Sequence, residues 1–95
     1  MAGGEPRAVR LRLSGRVQGV GFRFFTLRLG RRRGLRGWVR NAPDGSVEIE
    51  VTGAAEELRA FKEELRQGPS AARVDRIAEE ELPEPPDHET FDIEY

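Results

Sequence analysis

Between Ser14 and Arg23 the chain reads Ser-Gly-Arg-Val-Gln-Gly-Val-Gly-Phe-Arg, with glycines at 15, 19 and 21. Glycine carries the backbone through left-handed φ/ψ and lets another group approach closely. An alternating apolar run precedes this stretch and a helical pattern follows it, so it reads as a strand–loop–helix junction. Such a junction can aim several backbone N–H groups at one point, where the helix dipole adds partial positive charge. Arg23 falls near that helix N-terminus, where a cation is locally unfavourable. An anion held between the amides and the guanidinium removes the conflict. The stretch is a candidate phosphate site.

The rest of the inventory narrows the chemistry. There is no cysteine, which excludes disulfides, thiolate nucleophiles and zinc–thiolate sites. The one histidine, His88, lies among Pro86, Asp87 and Glu89 and reads as a solvated loop residue. Covalent phosphatase and Ser-His routes therefore have no players. No Asp/Glu/His cluster has metal-ligand spacing, so neither a metal nor a cofactor is expected. Asp44, in Pro43-Asp44-Gly45, is explained as a turn residue.

What remains beside the loop is Asn41, whose neutral carboxamide can orient a water but cannot take a full proton at pH 7. An anion cradle, one cation and a water-positioner suit a leaving group that departs unprotonated. A carboxylate, with a conjugate-acid pKa near ~4, is such a group and an alkoxide is not. Phosphoryl transfer from an acyl phosphate needs mostly positioning and charge stabilisation.

Gly15-Arg16-Val17-Gln18-Gly19-Val20-Gly21-Phe22-Arg23 resembles the signature of the acylphosphatases, as does Gly37-Trp38-Val39-Arg40-Asn41 with Pro43-Asp44-Gly45-Ser46-Val47-Glu48. The resemblance runs from about Val9 to Tyr95. It implies that Arg23 is the phosphate-binding catalytic arginine and Asn41 orients the attacking water. The backbone amides of Gln18, Gly19, Val20, Gly21 and Phe22 would form the cradle, and the substrate phosphate itself would take the water's proton. Trp38 and Phe22 read as packing residues. Arg33 stands where the family commonly has leucine, which suggests a frayed or twisted helix end. Ala42 stands where some members carry threonine, which suggests a missing hydrogen bond near the water.

These residues need elements to hold them. Ninety-five residues make one small domain with a shallow site. Residues 1–6 read as a disordered leader without a signal-peptide apolar region, and 7–95 as a single domain. The apolar runs are too short for a helix to span a bilayer, and a cytoplasmic monomer is the expectation. Val9, Leu11 and Leu13 alternate with Arg10, Arg12 and Ser14 as in a half-buried strand. Phe22, Phe25 and Leu29 predict a helix over about 22–33, capped by Gly34. Gly30 within it costs about 1 kcal/mol unless close packing needs it.

Strands are predicted over 35–41 and 46–52, with Val47, Ile49 and Val51 inward and Glu48, Glu50 and Thr52 outward. Thr52 or Gly53 opens a second helix carrying Leu58, Phe61 and Leu65, stopped at Gly68-Pro69. Val74 to Leu82 is a weaker strand, because its apolar residues do not alternate cleanly. Phe91, Ile93 and Tyr95 predict a last one. The order βαββαβ plus a terminal strand predicts a ferredoxin-like α+β sandwich, an antiparallel sheet with two helices on one face.

Charge is distributed unevenly. Residues 7–40 hold eleven arginines and no acid, although the net charge is −1. A positive first third concentrates anions, whether small phosphates or nucleic acid. The alternative is thus a non-catalytic phosphate- or nucleic-acid-binding module. RNA-recognition domains of this fold stack bases on exposed sheet aromatics, whereas here the polar face presents Arg10, Arg12, Glu48 and Glu50. Against a second rival, a non-catalytic acylphosphatase-like regulator that only senses phosphorylated metabolites, stand the intact Arg23 and Asn41. A third rival, the acylphosphatase-like domain of a carbamoyl-phosphate-handling maturation factor, expects further domains fused to this one. The preferred partner is a small acyl phosphate, with inorganic phosphate as competitive inhibitor and neither nucleic acid nor membrane bound.

Overall fold

A computed structural model describes residues 6–95. Of the expected leader, all but the exposed Pro6 lies outside the described residues. The elements are β1 (Arg7–Arg16), α1 (Phe22–Arg32), β2 (Arg36–Asn41), β3 (Val47–Gly53), α2 (Ala55–Gln67), β4 (Arg73–Leu82) and β5 (Phe91–Ile93). Both helices pack on one sheet of order β4-β1-β3-β2-β5. The odd-numbered strand residues meet the helical stripes: Leu11, Leu13, Val39, Val47, Ile49 and Val51 are fully buried beside Phe22, Leu29, Leu58, Phe61 and Leu65. Gly30 is a packing requirement, since a Cβ there would lie 2.7 Å from the Phe91 ring.

The sheet is mixed rather than antiparallel, because β5 pairs with β2 in parallel. β4 ends at the same end of the sheet at which β2 begins. Residues 83–90 cross to the far edge without turning back, so β5 must start where β2 starts. Crossing four strand spacings of about 4.8 Å is within reach of that segment at about 3.3 Å per residue. The uneven pattern of β4 also has a cause. The register with β1 shifts between Ser14 and Gly15, leaving Asp75 as an extra residue. That β-bulge lets Val74 and Ile77, three apart, both pack against the core. Gly15, at φ 127°, is required there, because a Cβ would collide with the Arg73 carbonyl oxygen.

Other expectations are corrected by neighbours distant in sequence. Glu50 and Thr52 point away from the helices yet are buried. Glu50 sits opposite Trp38 in the register, accepts a hydrogen bond from Arg10 and contacts His88 Nε2 at 2.7 Å. His88 is therefore half-buried rather than a free loop residue. It ties the 83–90 crossing to the open face of the sheet. Trp38 lies beneath Arg10 and Arg40, whose guanidinium carbons are 5.8 and 4.7 Å from its ring centre. Arg33, expected to fray α1, instead caps it and pairs with Glu57 and Glu64 of α2. The residue before α2 is Ala54, with no side-chain cap from Thr52 or Gly53.

Candidate active site

The loop between β1 and α1 is anchored by its apolar residues. Val17 is buried and Val20 packs on the core, so the intervening backbone is held at the surface. Gly19 and Gly21 take left-handed φ of 75° and 80°, and Gly21 is the residue from which α1 starts. No side chain caps this helix, and its first turn contains no acid. The first helical bond to Gly21 comes from the Phe25 N–H, at 3.1 Å. The N–H groups of Phe22, Arg23 and Phe24 thus have no intrahelical acceptor. They lie at the positive end of the helix dipole.

Asn41 is the last residue of β2, paired with Val47 where the β2–β3 hairpin begins. The side chain of Gln18 fastens that hairpin to the loop. Its Nε2 donates to the carbonyl oxygens of Ala42 and Ser46, each at 2.8 Å. The turn itself is closed by Asp44, which accepts from the Ser46 backbone N–H at 3.0 Å and from the Ser46 hydroxyl. The Ser46 hydroxyl and then its N–H, helped by the Arg12 charge, hold the Asp44 carboxyl below its ordinary value against the opposing effect of burial.

The result is one concavity of about 130 Å³ lined by Val17, Gly19, Gly21, Phe22, Arg23, Phe24 and Asn41. Arg23 and Asn41, eighteen positions apart in sequence, share it. Gln18 and Val20 are not among its lining residues; Gln18 acts from behind, and Val20 turns into the core. The clamp through the Gln18 side chain was missed from sequence. Its only signal was a carboxamide donor in a glycine-rich loop, with nothing local to say which carbonyls it meets.

The eleven arginines of residues 7–40 separate into two groups. Arg7, Arg10, Arg12, Arg31, Arg32, Arg33 and Arg40 lie within ion-pair distance of carboxylates from the later two-thirds of the chain. Among the described residues, Arg16, Arg23, Arg28 and Arg36 have no such pair. Of these four, only Arg23 lines the concavity. Two larger depressions, of about 260 and 190 Å³, lie elsewhere. Arg10 and Arg12 of the first pair with Glu50 and Glu48, and Arg7 and Lys62 of the second pair with Glu81 and Glu79; Arg59, which has no ion pair among the described residues, shares the second with those two carboxylates. Among the described residues, no three His, Asp or Glu come together to hold a metal ion, and no helix is long and apolar enough to cross a membrane.

Comparison with known proteins bears on fold and family. A sequence model of the acylphosphatase family matches residues 9–93. The chain is 48% identical over 83 residues to an acylphosphatase of Nitratidesulfovibrio vulgaris strain DP4, covering 85% of this chain and 83% of that one. It is 44% identical over 89 residues to an acylphosphatase of Thermotoga petrophila, covering 94% and 98%. The crystal structure of acylphosphatase from Bacillus subtilis superposes with a TM-score of 0.91 at 38% identity, covering 94% of this chain and 99% of that one. Matches of this extent, on a ferredoxin-like sheet that joins Arg23 to Asn41, mean that the chain belongs to the acylphosphatase family, hydrolases of the acyl phosphate anhydride bond.

Proposed function

We propose that residues 7–95 act as one catalytic unit that hydrolyses acyl phosphates through Arg23, Asn41 and the loop amides. The observation that carries this reading is the concavity itself. It joins a guanidinium without a carboxylate partner among the described residues to an asparagine and to helix N–H groups without an intrahelical acceptor, and no described acid or imidazole lines it. Of the loop residues Gln18 to Phe22, those that line the concavity, Gly19, Gly21 and Phe22, present their backbone N–H groups to the phosphoryl group. The flat guanidinium fork of Arg23 meets two of its oxygens. Charge on the transferring group is thereby balanced without a competing internal carboxylate.

Asn41 orients the water, accepting from it through the carboxamide oxygen. The Gln18 clamp fixes the distance between water and phosphate, since it ties the Asn41 hairpin to the loop. No lining residue can take the water's proton at neutral pH, so a phosphoryl oxygen takes it as the O–P bond forms. The anhydride O–P bond breaks with its electron pair left on the carboxylate, which needs no acid. The enzyme works as a monomer in the cytoplasm, and inorganic phosphate competes for the same cradle.

The test is release of inorganic phosphate from acetyl phosphate and from a simple alkyl phosphate, with chelator present, across pH 5–8. Acetyl phosphate is expected to turn over with a broad pH profile, and the alkyl ester to go essentially untouched while still inhibiting. Inorganic phosphate should raise KM without changing kcat. Comparable kcat/KM on the alkyl ester, a strict metal requirement, or noncompetitive inhibition by phosphate would each contradict the mechanism.

A further inference from the structure

The large apolar side chains exposed among the described residues are Phe24 and Tyr95, at 53% and 93% of full exposure. Both adjoin Arg23. Phe24 follows it in the first turn of α1 and lines the same concavity. Tyr95 comes after β5 and lays its ring over the guanidinium, 5.2 Å from ring centre to Cζ. The chain just before it is pinned to the sheet, since the Glu94 N–H donates to the Val39 carbonyl at 2.9 Å. The remaining rings are accounted for by packing: Phe22, Phe61, Phe91 and Trp38 are buried and Phe25 rests on the core. Two rings that burial does not explain therefore flank one cation.

We propose that Phe24 and Tyr95 form an apolar rim that receives the acyl group, so that acyl phosphates with aromatic or extended apolar acyl groups are favoured over acetyl phosphate. This rests on the hydrolytic reading above and adds a substrate preference to it. At about 130 Å³ the concavity holds a phosphoryl group and a water and little else. In-line displacement sets the leaving oxygen roughly opposite the attacking water. With the water on Asn41, the acyl group leaves the concavity and passes over its edge. An acetyl methyl covers almost none of the rim, whereas a phenyl ring removes apolar surface from water on both sides of the contact. The Tyr95 ring lies within cation–π reach of the guanidinium.

The experiment measures kcat/KM for benzoyl phosphate and acetyl phosphate, together with the Ki of inorganic phosphate. The proteins are the wild type, Phe24→Ala, Tyr95→Ala, the double variant and Tyr95→Phe. The double variant is expected to lower the benzoyl-to-acetyl ratio about five- to twentyfold, with a smaller change in the Ki of phosphate. Tyr95→Phe, which keeps the ring, should hold the ratio within about twofold of wild type. A double variant whose ratio stays within that margin would overturn the rim. So would equal losses on both substrates matched by weaker phosphate binding, which would leave Tyr95 only the orientation of Arg23. Hydrolysis of neither acyl phosphate by the folded wild type would overturn the hydrolytic reading itself, and the rim with it.

Discussion

Arg23 at the loop mouth and Arg10 on the open face of the sheet are the same side chain put to opposite electrostatic use. Arg10 reaches the buried carboxylate of Glu50, which His88 contacts from the other side, and the three groups roof the sheet above Trp38. Arg12 and Arg40 share Glu48 in the same layer. Arg23 has no carboxylate within reach among the described residues, and its neighbours are an aromatic face and unbonded amides. A cation balanced by a fixed carboxylate holds a fold together. A cation balanced by nothing fixed is available to a ligand, and the difference lies in the partner rather than in the arginine.

Removing the cation from each region should break different properties. The largest effect is expected from Arg23→Ala, with kcat/KM on acetyl phosphate lower by about 10³-fold or more. Its melting temperature should move by no more than about 2 °C, because a mouth residue contributes little to packing. Arg23→Lys should recover less than about tenfold of that loss, since an ammonium lacks the planar fork. Near-normal kinetics in the lysine variant would mean that charge alone is enough and would erase the distinction.

Asn41→Ala comes next. Here kcat should fall by about 10²-fold while KM stays within about threefold, because a water-orienting group acts mainly in the transition state. An unchanged kcat with a raised KM would make Asn41 a substrate contact instead.

On the open face the measured quantity is stability. Burial pushes the Glu50 carboxyl up, but the hydrogen bonds from Arg10 and with His88 outweigh it and leave the value lowered. A carboxyl lowered on folding contributes stability above its unfolded value, and loses it as pH falls through the folded one. Glu50→Gln should therefore cost about 2 kcal/mol in urea unfolding at pH 7. That difference should shrink as pH drops below the ordinary value of 4.5. Turnover of the folded variant should be preserved. A deficit that persisted unchanged into acid would show that shape, not charge, is what Glu50 supplies.

The smallest effect is expected at the edge of the sheet. Arg7 and Glu81 pair at 3.0 Å, but both side chains are more than half exposed, at 57% and 58%. Arg7→Gln should change stability by less than about 0.5 kcal/mol. A loss as large as that at Glu50 would mean that exposure does not separate the two kinds of pair.

Local residue patterns are enough to set the period-2 and period-3.6 stripes, the glycine loop between them, and the two side chains that could do chemistry beside it. Those depend on residues a few positions apart, whose geometry is imposed by the local backbone. The sequence also made Gly30 conditional on a close neighbour, which turned out to be Phe91. It could not determine which acid each arginine meets. The arginines of residues 7–40 read as a basic surface until Glu50, Glu57, Glu64, Glu81 and Asp92 come to four of them, Arg7, Arg10, Arg31 and Arg33, from 24 to 74 positions away. Nor could it tell that Gln18 reaches the hairpin, that Glu50 is roofed over by His88, or that β5 runs parallel to β2. Each of these depends on which strands lie side by side. Only the closed sheet sets that order, because packing of one buried face selects a single register among many that the same local patterns permit.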